Sequence, residues 1–163
     1  MLAGSNAWLQ ALLIGLGATA VSDFWSWLLK RTLGMPSLDW AWVGRWIGHF
    51  AQGRFRHAHI ARAVPVNGER LLGWCAHYAI GAALGLLFLP VAGAAWIQQP
   101  RVLPALGFGL LTVALPFFIM QPAFGLGLAA SATPKPGVAR LRSLMTHAVF
   151  GLGLFLTATA LAA

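Results

Sequence analysis

Four strongly polar side chains interrupt the apolar runs of this sequence: Asp23, His77, Gln121 and His147. An ionisable group in hydrocarbon is costly, so such residues normally face a bundle interior or a wet cavity and find partners there. Three chemistries suit the set. An aspartate beside an imidazole can pass a proton, because imidazole titrates near neutral pH. Histidines on different helices can ligate a b-type haem, with Gly81, Gly85, Gly151 and Gly153 leaving room for the macrocycle. Asp23, His77 and His147 could also hold a divalent metal with an open fourth position. The plainest alternative is an interhelical hydrogen-bond network that only ties helices together. The pattern requires no cofactor; haem and a divalent metal are the alternatives it leaves open.

The four residues share an approximate depth. "RLLGWCAHYAIG" (70–81) aligns without a gap with "RLRSLMTHAVFG" (140–151), matching Arg70 to Arg140, His77 to His147 and Gly81 to Gly151. Each histidine lies about 10 Å along a helix from its arginine, at the ~1.5 Å rise of an α-helix. A weaker echo links "TAVSDF" (19–24) with "TVALPF" (112–117). Together these suggest two parallel repeats of a helical hairpin. Pro116 and Pro122 should deprive the Thr112 and Phe118 carbonyls of their helical partners, leaving acceptors for an imidazole.

The elements that must position these residues follow from composition. Of 163 residues, 59% are hydrophobic and 9% charged, against roughly 25% charged in a soluble domain. Four stretches, about 7–29, 71–90, 103–128 and 143–162, meet the requirement of about 20 apolar residues for a hydrocarbon core. None alternates as a barrel strand would. The expected fold is an all-α membrane protein: one integral domain over 1–163, built as a four-helix transmembrane bundle. No basic region precedes the first helix, which is expected to be retained rather than cleaved as a signal.

Three acids, Asp23, Asp39 and Glu69, face eleven lysines and arginines. The basic residues fall between the apolar runs, a placement that points to anionic lipid headgroups and away from nucleic acid. Seven of them lie between Lys30 and Arg70, and Lys135, Arg140 and Arg142 separate the third and fourth helices. The positive-inside rule then makes both loops cytoplasmic and both termini periplasmic.

The loop 30–70 is aromatic-rich. In "SLDWAWVGRWIGHFAQGRF" (37–55), Trp40, Val43, Trp46, Ile47 and Phe50 share a helical face, and Ser37 or Asp39 can cap the start. This predicts a short amphipathic helix in the membrane interface, with Arg45 and His49 toward headgroups. Arg45, Arg54, Arg56 and Arg62 are the expected headgroup ligands. His57 and His59, spaced by two, would converge on a metal only in an extended segment. Cys75 reads as a packing residue, and Gly81-x-x-x-Gly85 as a close helix contact that makes a homodimer plausible.

"GATAVSDFW", "PSLDWAWVGRWIGHFAQGRFRH", "GERLLGWCAHYAIG", "PFFIMQPAFGLGLAASATPKP" and "RLRSLMTHAVFGLGLF" together resemble the bacterial family known as domain of unknown function 2938. The resemblance spans nearly the whole chain and implies a small bacterial inner-membrane protein, with no activity to carry over. The functional expectation is therefore a proton-linked or small-solute transporter or transport subunit. The alternatives are a redox or metal protein using His77 and His147, and a structural or partner-binding membrane protein.

Overall fold

The computed structural model describes residues 2–162, and every regular element in them is helical. In chain order these are α1 (Leu2–Leu33), α2 (Trp40–Gly48), α3 (Glu69–Ala92), α4 (Ala94–Gln98), α5 (Val102–Leu111), α6 (Gln121–Ala123) and α7 (Pro136–Ala162). Among the described residues, four segments are long and apolar enough to cross a membrane: Asn6–Leu33, Glu69–Ala92, Val102–Ala123 and Pro136–Ala162. Large side chains lie bare along them, Leu71 at 71%, Phe118 at 63% and Leu111 at 75% exposure. Lipid accepts such surfaces and water does not. The protein is a multi-pass all-helical membrane protein.

Three spans run a few residues beyond their apolar stretches. α1 stops at Gly34 and α3 at Gly93, both in left-handed conformations (φ 62° and 82°) that glycine adopts without strain.

The third span departs from the expected helix over 103–128. It is helical to Leu111, turns at 112–113, and passes through a π-helical segment, Pro116–Met120, before ending at Ala123. Pro116 has no N–H to give the Thr112 carbonyl, and Leu115 N takes that carbonyl instead at 3.0 Å. Gln121 N then reaches back five residues to the Pro116 carbonyl, the signature of a π-bulge. Residues 124–128 form a turn rather than the last turns of a helix.

The chain divides into two compact units. The first comprises the N-terminal segment through Ser37, Tyr78–Leu111 and the segment from Met145 onward; the second comprises Leu38–His77 and Thr112–Leu144. Ala11, Ile14, Ala18, Phe88, Phe108, Phe150 and Leu154 form the core of the first unit. Its helices meet backbone to backbone. A β-carbon on Gly85 would land on the Ala11 carbonyl, and one on Gly109 would meet Gly151 and the His147 carbonyl. Helices in lipid gain no hydrophobic drive from each other, so close approach through small residues supplies the attraction. Gly81-x-x-x-Gly85 is thus used within this chain, against Gly15 and Thr19. Trp96 in α4 is buried against Phe88 and donates Nε1–H to the Arg101 carbonyl at 3.0 Å.

The second unit is centred on Val43, Ile60, Ala123 and Phe124. The predicted amphipathic helix is α2, and Asp39 caps it by accepting from Ala41 N at 3.0 Å. α2 crosses the start of α3 where Gly44 meets the Glu69 carbonyl and Gly73 meets that of Trp40. One expectation fails here. Arg45 and His49 do not point outward to headgroups; they are 8% and 2% exposed.

Candidate functional site

The polar residues of the spans each have a partner that the sequence pattern did not name. In the first unit, the Asp23 carboxylate accepts from the Tyr78 hydroxyl at 2.9 Å. The adjacency of Tyr78 to His77 hides it as a candidate, because neighbouring residues on a helix point to different faces. His147 is hydrogen-bonded to the backbone of Gly109. The expected acceptors are the Thr112 and Phe118 carbonyls; Gly109 lies in the third span before its break.

In the second unit, His77 stacks on Trp40 (ring centroids 3.7 Å apart, 21° between planes), with Trp74 edge-on at 5.8 Å. Aromatic stacking accounts for an imidazole at this depth without any ligand. Gln121 is 6% exposed and lies directly after the π-segment. Its Nε2 donates to Ser143 Oγ at 3.3 Å, while its Oε1 is buried with no hydrogen-bond partner. Asp23 and His147 thus belong to one unit, His77 and Gln121 to the other.

The densest polar cluster of the second unit is built on Arg45. Its Nε and Nη2 bind the two Glu69 carboxylate oxygens at 2.8 and 2.7 Å. Nη1 donates to the carbonyls of Ile60, Ala61 and Ala63 at 3.1, 3.3 and 3.2 Å. Glu69 also accepts from Val66 N at 2.9 Å. The Glu69 hydrogen bonds push the Arg45 pKa above its already high ordinary value, so the group is a permanent cation. Arg45 is accordingly a clamp for residues 60–63 and not a headgroup ligand. Arg54, Arg56 and Arg62 remain exposed.

Next to the clamp, His49 Nδ1 and His57 Nε2 lie 2.7 Å apart. His57 pairs with His49 and not with His59, which is exposed. The other ring nitrogen of His57, Nδ1, is buried without a partner within hydrogen-bonding distance. Burial, then His49, then Arg54 and Arg45, lower the His57 pKa below the ordinary 6.5, and the Ala123 carbonyl opposes them in part.

These arrangements bear on the redox and metal chemistries. Among the described residues, no three His, Cys, Asp or Glu side chains converge to hold a metal ion. The glycines expected to leave space for haem are filled: Gly81 by Thr19, Gly85 by Ala11 and Gly15, Gly151 by Ala105 and Leu106, Gly153 by Ala18. The residues present do not fit a macrocycle at those positions. Cys75 is exposed rather than packed.

No curated protein and no solved structure matches the chain. A family model described as "Protein of unknown function (DUF2938)" matches residues 12–161. That match takes in the second and third spans whole, most of the first and fourth, the Arg45 clamp and every polar residue described above, and the chain belongs to the DUF2938 family.

Proposed function

We propose that this protein is a proton-linked or small-solute transporter of the bacterial inner membrane, or a subunit of one, with Asp23, His77, Gln121 and His147 as its intramembrane polar set. The observation that carries the reading is the broken third span. A turn at 112–113 and a π-segment over Pro116–Met120 lead directly into Gln121, whose Oε1 is buried and unpartnered. Discontinuous membrane helices leave backbone and side-chain polar groups at mid-membrane, and transporters place substrate and ion sites there. π-bulges also concentrate at functional positions. Asp23, held by Tyr78, is the acidic member of this set.

The distribution of basic residues supports cytoplasmic placement of the loop 30–70 and of the segment with Lys135, Arg140 and Arg142 between the third and fourth helices, with both termini periplasmic. The two half-chains read as parallel hairpin repeats, since Gly81 and Gly151, matched in the alignment, each make a close backbone approach in the first unit. A homodimer would have to use surfaces other than Gly81 and Gly85.

The test is flux into proteoliposomes under an imposed pH gradient, read with an internal pH dye. Asp23→Asn and Gln121→Leu are each expected to lower the wild-type rate at least about tenfold, with helical content and elution volume unchanged. Absence of wild-type flux, or full flux in both variants, would sink the reading.

Exposed Arg54, Arg56 and Arg62 are proposed to hold anionic headgroups, each contributing about 1 kcal/mol near a charged surface. Replacing all three with Gln should lower co-purifying phosphatidylglycerol or cardiolipin severalfold, while Lys135→Gln should change it less. Equal lipid content in wild type and triple variant would refute this assignment.

A structural or partner-binding role is the second reading. It is favoured by the tight glycine packing of the first unit, where a cavity of about 10 Å³ beside Ala11, Ile14 and Phe88 holds no more than one water.

A further inference from the structure

The segment after α2 is held down at both of its sides. Arg54 N donates to the His49 carbonyl at 3.2 Å, His57 N to the Ala123 carbonyl at 2.8 Å and Ile60 N to the Phe124 carbonyl at 3.1 Å. Gly125 sits so close to the His57 and Ala58 carbonyls that a β-carbon there would collide with them. Residues 57–60 therefore lie along residues 123–125, the turn that follows the broken third span and Gln121. Side chains tie this segment to α2 at three places: Trp46 Nε1 donates to the Phe55 carbonyl at 2.9 Å, Arg45 Nη1 clamps the carbonyls of residues 60, 61 and 63, and His49 Nδ1 meets His57 Nε2 at 2.7 Å.

The last contact can hold only one proton between its two nitrogens. With both rings neutral, one ring donates its N–H to the other's lone pair, and either tautomer leaves His57 Nδ1 buried without a partner within hydrogen-bonding distance. A single added proton still leaves one N–H facing one lone pair, so the contact survives it. Two cations cannot keep it: N–H would then face N–H at 2.7 Å, with His49 2% exposed.

We propose that His49 and His57 form a proton-sensitive latch, which holds residues 54–59 onto the turn at 123–125 near neutral pH and releases them when both rings are charged, while Arg45 keeps residues 60–63 in place. The charged groups facing the pair come from three elements. Arg45 of α2 and Arg54 of the segment itself oppose protonation of His57. Glu69 of α3 favours the charged state of the region, but its carboxylate is already committed to Arg45. The turn at 123–125 contributes only backbone. The balance is cationic, and the sign follows from linkage. The closed state binds protons less readily than a free histidine, so its stability is full above about pH 6.5 and declines as pH falls below that value. This latch does not depend on transport, since it would open whether or not a solute crosses the bundle. A turn that caps the broken span is nevertheless where such an opening would expose Gln121.

The experiment is hydrogen–deuterium exchange with mass analysis on the full-length protein in nanodiscs, at pD 7.5 and 5.0, corrected for intrinsic exchange rates. Peptides spanning 54–59 are expected to lose at least about tenfold in protection at the lower pD, while peptides in α5 do not change. His57→Gln and, separately, His49→Gln should abolish the difference between the two pD values, because neither variant can place two cations face to face. His59→Gln, at the exposed neighbour, should keep it in full. Two results would overturn the latch: no loss of protection in wild type, or a pH response that survives in both His49→Gln and His57→Gln. Loss of the response in His59→Gln would overturn it as well.

Discussion

Arg45→Ala is expected to lower the stability of the folded protein by about 3–5 kcal/mol, the cost of breaking a buried ion pair by removing one partner. Alanine leaves the Glu69 carboxylate with Val66 N alone, and it strips the carbonyls of Ile60, Ala61 and Ala63 of their shared donor. Both ends of the pair are nearly shielded, with side-chain exposures of 10% and 16%, so water cannot fully replace the guanidinium. Lysine does not rescue the site, because one ammonium lacks the planar fork that spans a carboxylate and a carbonyl cluster at once. The double variant Arg45→Met/Glu69→Leu should lose much less than the sum of the single losses, since it buries no unpaired charge. Denaturant titration in detergent, followed by circular dichroism, measures all three. An Arg45→Ala variant within about 0.5 kcal/mol of wild type would contradict the clamp.

The same residue shows where sequence reading stopped. Four spans, their order and the short helix after Asp39 follow from local patterns: apolar runs of sufficient length, a capping carboxylate, aromatic spacing. Arg45 looks like a headgroup ligand in that local view because arginines cluster around it. Its partner lies 24 residues away, and no periodicity links the two. His49 is misread for the same reason, since its partner His57 belongs to a segment without regular structure. The third span was legible as apolar and proline-bearing, but hydropathy averages over a break. Only backbone accounting at Pro116 tells a continuous helix from one that turns at 112–113. Asp23, His77, Gln121 and His147 stand out by type, yet their partners Tyr78, Trp40, Ser143 and Gly109 are residues too ordinary to attract notice.

Gly85→Leu should be as damaging as the loss of the clamp, at the upper end of the ~1–3 kcal/mol overpacking range or beyond it. A β-carbon at Gly85 falls on the Ala11 carbonyl and within 2.7 Å of Gly15 Cα, and both obstacles are backbone. Flexible side chains could swing aside; two helix axes must separate. Separation also strips contacts from Ile14 and Phe88 in the core of the first unit, and lipid offers no compensating drive to re-form them. Gly85→Ala should fall between leucine and wild type. Gly107→Leu is the internal control: the space around Gly107 is open, and leucine there should change stability by about 0.5 kcal/mol or less. The series also decides what Gly81-x-x-x-Gly85 is for. If the motif joined two copies, Gly85→Leu would yield a folded monomer in place of a dimer. Packing within one chain requires instead that the folded monomer itself is lost, with helices retained but the core loosened. Folded, monodisperse Gly85→Leu protein as stable as Gly107→Leu would remove the glycine contact from the account of this fold.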